Sequence, residues 1–237
     1  MKRARIDLYG NIGSSYDPNC SPENFLAALK KAEGDEIELH IHSPGGSIVD
    51  GLAMAHHCMS EARDVHCVVD GMAASMASVI ACACDSLSMY RNAYMMIHNP
   101  WTVSVGDSDR LKHDAALLDS MKTQVLDFYG RRFPGKSKAE LSKMMDDETW
   151  IPGAQAEEMG LKADILDNVL EAAAAIKTEL HFAKVPESAK AFFSIAPASP
   201  AAPAWAIPAP DGKGNKTEPV AAVETKPKET DNAEKTE

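Results

Sequence analysis

Ser75 and His98 are the residues of this sequence best suited to nucleophilic catalysis on a carbonyl group. A serine hydroxyl becomes an effective nucleophile when a neighbouring base takes its proton, and that base is commonly a histidine imidazole. Ser75 lies in a run of small residues that lets a substrate backbone approach closely, Gly71-Met72-Ala73-Ala74-Ser75-Met76-Ala77. His98 is chosen among eight histidines because it directly follows a predicted strand. The pair predicts hydrolysis through an acyl intermediate on Ser75.

Two predicted turns offer amide donors for an oxyanion. The turn Ser43-Pro44-Gly45-Gly46 precedes one helix, and Ser75 stands at the start of another. N–H groups at a helix start have no intrahelical acceptor and are positively polarised. We expect the N–H groups of Gly46 and Met76 to point at one carbonyl oxygen, with Gly45 as the alternative to Gly46.

A carboxylate that orients the His98 imidazole would complete a catalytic triad. The run Asp146-Asp147-Glu148 contains three candidates, and the residues alone leave the choice among them open. Nothing in this chemistry requires a metal or an organic cofactor. The five cysteines have no CxxC spacing, so no zinc site is expected either.

The segments that must position these residues alternate between strand and helix patterns. Strands are predicted where apolar and polar residues alternate, and helices where apolar residues recur at helical spacing. Successive βαβ units imply an α/β fold with a largely parallel sheet, in which Ser75 and His98 emerge at the same sheet edge. The predicted strands are 5–10, 36–42, 65–69 and 93–97, and the predicted helices follow Ser21, Gly46 and Ser75.

The second half of the chain contains a long polar helix and then changes character. Residues 107–131 form the helix, two short helices are expected within 137–160, and 165–170 close a domain of residues 1–175. Residues 176–237 are predicted to be a Pro/Ala-rich linker and a charged tail, disordered after about residue 190. Such a composition buries too little apolar surface to offset the entropy of ordering.

Composition limits the partners and the compartment. The chain is 45% hydrophobic and 25% charged, as ordinary globular proteins are, and its net charge of −11 argues against nucleic acid as a partner. The odd number of cysteines favours reduced thiols and a cytoplasmic location. The longest apolar run, residues 71–84, is shorter than the roughly 20 residues that a membrane span needs, so no membrane partner is expected.

The chain resembles Clp-type proteolytic subunits over residues 6–170. The resemblance rests on blocks in family order, namely 43–46, 71–77, 96–100 and 154–161. It implies protein or peptide substrates, with Ser75 as nucleophile, His98 as base, and Gly46 and Met76 as oxyanion donors. It also implies a superhelix of βαβ units shared with crotonases, a protruding handle helix at 107–131, and homo-oligomers that form stacked rings.

Two departures from the family bear on function. Glu148 stands where the family usually has its triad aspartate, and Asp147 remains the alternative. Few residues precede Ile6, where members that work with an ATPase unfoldase carry an axial loop, so ATPase docking is in doubt. The short start and long tail resemble the phage and prophage head-maturation branch. That branch acts on capsid and scaffold proteins in the bacterial or phage-infected host cytoplasm.

Two other functions stay open on the same fold. A crotonase-like acyl-CoA hydratase or isomerase would use the same backbone donors with acidic side chains and no serine nucleophile. A non-catalytic capsid assembly scaffold would need neither Ser75 nor His98.

Overall fold

Strands and helices alternate along the chain up to Ala83, as the hydrophobic pattern predicts. The computed structural model describes residues 2–14, 17–167 and 182–192. Most of the predicted linker and tail therefore lies outside the described residues. The strands are β1 (Arg3–Tyr9), β2 (Glu36–Ser43), β3 (Val65–Ala74), β4 (Ser86–Tyr90), β5 (Tyr94–Ile97), β6 (Thr149–Pro152) and β7 (Asp164–Leu166). The α-helices are α1 (Pro22–Lys31), α2 (Ile48–Ser60), α3 (Met76–Ala83), α4 (Ser108–Gly130) and α5 (Lys138–Asp146).

The strands form one largely parallel sheet in the order β1-β2-β3-β4-β7. β5 pairs with the second half of β3 in parallel, and β6 pairs with β5 in antiparallel orientation. The predicted α/β fold is confirmed. Among the described helices, none is long and apolar enough to cross a membrane.

The strand β3 is longer than the sequence pattern indicates, because it pairs with different partners along its length. Residues 66–69 pair with β4, and residues 72–74 pair with β5. The prediction ended this strand at Val69 and treated the following small residues as a turn. They continue the strand instead, because Met72, Ala73 and Ala74 pair with β5. All three residues are fully buried.

Helices cover one face of the sheet and form the core there. Alternate residues of β1, β2 and β3 point to this face, and they are buried together with Phe25 of α1, Met54 of α2 and every residue of α3. Each fully buried Leu or Ile side chain contributes about 1.5–3 kcal/mol. The sheet face is apolar at Ile6, Leu8, Ile37, Leu39, Ile41, Cys67 and Val69.

The long helix α4 contacts the core only with its last turns. Val125, Phe128 and Tyr129 are buried, whereas Leu111 and Leu117 in the first half are exposed. The Tyr129 hydroxyl lies 2.9 Å from the hydroxyl of Ser78, which connects α4 to α3. The predicted helix at 107–131 is thus confirmed to within one residue at each end.

Candidate active site

Ser75 stands at the sharp junction between β3 and α3. Its backbone has φ 53° and ψ −124°, a left-handed conformation that L-residues other than glycine rarely adopt. The strain is held by the surrounding sheet, because the Ser75 N–H donates to the carbonyl of Met96 in β5 at 2.9 Å. Strained non-glycine residues of this kind cluster at functional sites.

His98 directly follows β5 and meets Ser75 at the same edge of the sheet. The Ser75 Oγ lies 2.7 Å from the His98 Nε2, which is hydrogen-bond distance. The approach follows from strand pairing: Met72 and Ala74 of β3 pair with Tyr94 and Met96 of β5, so both strands end at one level. The sequence predicted this meeting, although it missed β4 between α3 and β5.

The environment of His98 favours its neutral form. Burial lowers the pKa of His98 from its ordinary value of 6.5, and the nearby negative charge of Glu148 opposes that shift. The net shift of the pKa is downward, because the cost of removing water from the charged imidazole exceeds its attraction to the Glu148 carboxylate. A neutral imidazole beside a serine hydroxyl can accept its proton.

The turn at Gly45 and Gly46 packs directly against this junction. Gly45 has φ +95°, and a Cβ there would lie 2.7 Å from the Cβ of Ser75 and 2.9 Å from the amide nitrogen of Met76. Gly46 has φ +148°, and a Cβ there would collide with the backbone of Ile12. Only glycine fits this close approach between the two loops.

Two main-chain donors beside Ser75 have no protein acceptor within the described part of the chain. They are the N–H groups of Gly46 and Met76, whereas the Gly45 N–H donates to the hydroxyl of Ser43 at 3.1 Å. Of the two alternatives that the sequence left at this turn, Gly45 is therefore engaged elsewhere and Gly46 has a free donor. Two such donors near one hydroxyl can stabilise an oxyanion.

A cleft of about 590 Å³ lies between α3 and α4, next to these donors and the Ser75–His98 pair. Ser75, His98 and Gly46 line one end of the cleft. Its inner wall is apolar and is formed by Val79, Leu118, Met121 and Val125. The cleft is large enough for an apolar side chain and the adjoining backbone of a peptide.

The carboxylates of the run 146–148 point in different directions. Asp146 accepts hydrogen bonds from Asn99 at 2.8 Å and from Lys122 at 2.6 Å. Asp147 is exposed and pairs with Lys143 at 2.7 Å, and that ammonium lowers the pKa of Asp147. Neither of the two is among the charges that act on His98.

Glu148 is the carboxylate whose charge acts on the pKa of His98, but its hydrogen bonds are made with other residues. It has φ 51°, another left-handed non-glycine conformation. Its two oxygens accept hydrogen bonds from the main-chain N–H groups of Ala183 at 2.8 Å and Lys184 at 2.6 Å. Within the described residues, no carboxylate accepts a hydrogen bond from the His98 Nδ1. The structure thus joins Ser75 and His98 directly, and the Glu148 carboxylate lies near His98 without a hydrogen bond to it.

Sequence reasoning missed Phe182 at this site. Its ring lies edge to face against His98, with ring centroids 5.7 Å apart, and against Trp150 at the same distance. Phe182 belongs to the stretch interpreted as linker, where a single aromatic residue after an alanine-rich run gives no recognisable signal. Its position depends on tertiary packing against β5 and β6.

A partly buried serine–histidine pair, two free amides and an apolar cleft on an α/β sheet are typical of hydrolases. A family model described as Clp protease matches residues 1–170. The chain belongs to the Clp protease family, which is a family of peptidases.

Curated relatives agree with this assignment. An ATP-dependent Clp protease proteolytic subunit of Bacteroides fragilis is 27% identical over 164 residues, covering 68% of this chain and 79% of the relative. The ATP-dependent Clp protease proteolytic subunit 2 of Parasynechococcus marenigrum is 27% identical over 169 residues, covering 70% and 85%. The subunit 1 of Chlamydia muridarum is 33% identical over 138 residues, covering 56% and 71%.

Proposed function

We propose that the protein is a serine endopeptidase that hydrolyses peptide bonds through an acyl-enzyme on Ser75. The observation on which this rests is the 2.7 Å contact between the Ser75 Oγ and the His98 Nε2 in a chain of the Clp protease family. The left-handed backbone of Ser75 supports it, because that conformation costs free energy and is retained at functional positions.

The reaction uses each of the neighbouring groups in turn. His98 takes the proton of the Ser75 hydroxyl as its oxygen bonds to the scissile carbonyl carbon. The N–H groups of Gly46 and Met76 stabilise the negative charge on the carbonyl oxygen. His98 then gives the proton to the leaving amine, and water releases the acyl group from Ser75 by the same steps in reverse roles.

Glu148 is the proposed triad acid. Its negative charge raises the pKa of His98, which Asp147 does not do. Its left-handed backbone also sets it apart from Asp146 and Asp147. Asp147 is instead paired with Lys143 on the surface at the end of α5.

Protein or peptide substrates and a ring-shaped homo-oligomer follow from family membership. The relatives are named proteolytic subunits, which agrees with assembly into a larger complex. The exposed Leu111 and Leu117 on α4 give that helix apolar surface for contact with another copy. Capsid and scaffold proteins as substrates stay a prediction from the sequence.

Labelling with a serine-reactive fluorophosphonate tests the proposal. The unchanged protein and a Ser60→Ala control, which alters an exposed serine, should be labelled equally, and Ser75→Ala should not be labelled. A crotonase-like enzyme or a non-catalytic scaffold would give no labelling of any variant. Equal labelling of Ser75→Ala would place the nucleophile elsewhere.

A further inference from the structure

The last described segment of the chain packs on the sheet beside Ser75 and His98. We call residues 182–192 the C-terminal strap. Val185 and Ala189 of the strap pack on the apolar cluster around Met72, Met96 and Trp150. The hydroxyl of Ser188 lies 2.5 Å from that of Tyr94. The strap is therefore fixed to β3, β5 and β6, the strands adjoining Ser75, His98 and Glu148.

The start of the strap binds the carboxylate of Glu148 with its main chain. The Ala183 N–H donates to Oε2 at 2.8 Å, and the Lys184 N–H donates to Oε1 at 2.6 Å. The Lys184 side chain also donates to the main-chain oxygen of Asp147 at 2.6 Å. Two adjacent amides on two oxygens hold the carboxylate in one orientation, and charge-assisted bonds of this kind are strong.

Phe182, the first described residue of the strap, covers His98. Its ring packs edge to face on the imidazole and on Trp150, and it also lines the cleft beside Ser75. The strap thus contacts both the base and the nearby acid through consecutive residues. No other described segment contacts the Glu148 carboxylate with main-chain donors.

We propose that the C-terminal strap positions the catalytic groups, with the amides of Ala183 and Lys184 orienting Glu148 and the ring of Phe182 packing against His98. This inference rests on the proposed function. Glu148 also accepts a bond from the Trp150 Nε1 at 3.4 Å. An ionised carboxylate has about four lone-pair sites, so these three bonds leave it one site for a bond from His98. Glutamate needs such support more than aspartate would, because its longer side chain has more rotational freedom.

The alternative hypothesis is that the strap inhibits catalysis. In that case the amides would keep Glu148 away from His98, and weakening them would speed the reaction. In the positioning arrangement, weakening them slows it. The two therefore differ in the sign of one measured effect.

The first test removes a single donor from the strap. Ala183→Pro deletes the N–H that binds Oε2, and Ala183→Gly keeps that N–H and serves as the matched control. In hydrolysis of a fluorogenic peptide, Ala183→Pro should lower kcat about 10- to 100-fold with a smaller change in KM, and far more than Ala183→Gly does. A kcat that rises, or that falls equally in both variants, overturns the proposal.

A double-mutant cycle shows whether the effect passes through Glu148. On a Glu148→Gln background, Ala183→Pro should cost much less than it does alone, because the oriented carboxylate is already gone. Equal costs on both backgrounds would mean that the strap acts on general folding and not on Glu148, which overturns the positioning role.

The second test uses Phe182 and does not depend on whether a proline is tolerated. The groups that face His98 are Ser75 from the junction of β3 and α3, Glu148 before β6 and Phe182 from the strap. Of these, Glu148 carries the charge that acts on His98. Phe182→Ala admits water to the imidazole and raises the pKa of His98, so the acid limb of kcat/KM moves to higher pH. Phe182→Leu should leave the limb closer to its original place. An acid limb unmoved in Phe182→Ala overturns the positioning role of Phe182.

Labelling of Ser75 and the activities of the strap variants distinguish a failure of the proposed function from a failure of the strap's role. If the unchanged protein is not labelled at Ser75, the hydrolase proposal fails. If it is labelled and active, but Ala183→Pro and Phe182→Ala behave as their controls do, only the role of the strap fails.

Discussion

The main-chain N–H of Ser75 donates to the main-chain oxygen of Met96 at 2.9 Å, two residues before His98. This bond links the end of β3 to the end of β5 and fixes the distance between hydroxyl and imidazole. Because it involves no side-chain atom of either residue, the junction keeps its shape when the Ser75 side chain is changed.

Ser75→Ala should therefore fold normally and lose nearly all activity. Removal of a serine nucleophile costs on the order of 10⁶-fold in kcat. Peptide hydrolysis measures the loss, and an unchanged melting temperature shows that the fold is retained. Turnover within tenfold of the unchanged protein would contradict the assignment of Ser75.

Glu148→Gln and Asp147→Asn should differ sharply in activity. If Glu148 orients His98, its change lowers kcat by about 10⁴-fold, as for other triad acids. Asp147→Asn loses only an exposed pair with Lys143, and such exposed pairs contribute little to stability, so its activity should change little. The reverse order of effects would assign the role to Asp147.

The pH profile should report the burial of His98. In the proposed mechanism the neutral imidazole is the base, and burial lowers the pKa of His98 below 6.5. Activity is thus lost as pH falls through that lowered pKa, which places the midpoint of the acid limb below pH 6.5. A kcat/KM profile on a peptide substrate measures the midpoint of the acid limb. A midpoint above 6.5 would show that His98 is not the buried base described here.

The same profile responds to the charge of Glu148. That negative charge raises the pKa of His98, so Glu148→Gln should move the residual acid limb to still lower pH. The shift is measured on the small activity that remains. Movement to higher pH would indicate that Glu148 does not act on His98 electrostatically.

Gly46→Ala should remove both activity and stability, in contrast to Gly130→Ala. Gly46 has φ +148°, and a Cβ there would collide with the backbone of Ile12. A Cβ at Gly130 would have no atom within 4 Å. We expect Gly46→Ala to cost about 1–3 kcal/mol in the free energy of unfolding and to displace one oxyanion donor. Thermal melting and peptide hydrolysis check both effects. Similar behaviour of the two variants would exclude Gly46 from the site.

Sequence reasoning predicted the parts of the fold in which local pattern and tertiary position agree. The alternation in β1 and β2, the helix starts after Ser21 and Gly46, and the long helix α4 are of this kind. The parallel order of the strands then predicted that Ser75 and His98 would meet, and the 2.7 Å contact agrees with that expectation.

Other features depend on contacts that are distant in sequence. β3 continues to Ala74 because β5 pairs with it there, and β6 exists because Thr149–Pro152 pairs with β5. The strap is the strongest case, since Phe182 and Ala183 have no local pattern and are placed by Trp150 and Glu148. That the Gly45 N–H has an acceptor also could not be read from the sequence, because it depends on where the Ser43 hydroxyl points.

The backbone of Ser75 has a consequence for how this position can change over evolutionary time. With φ 53° and ψ −124°, it pays about 1–3 kcal/mol that a glycine there would avoid. Ease of folding alone would therefore select glycine at position 75. We expect serine to be retained at this position only while its hydroxyl is used in catalysis. A descendant of this chain that no longer needs catalysis should lose the hydroxyl early and become more stable.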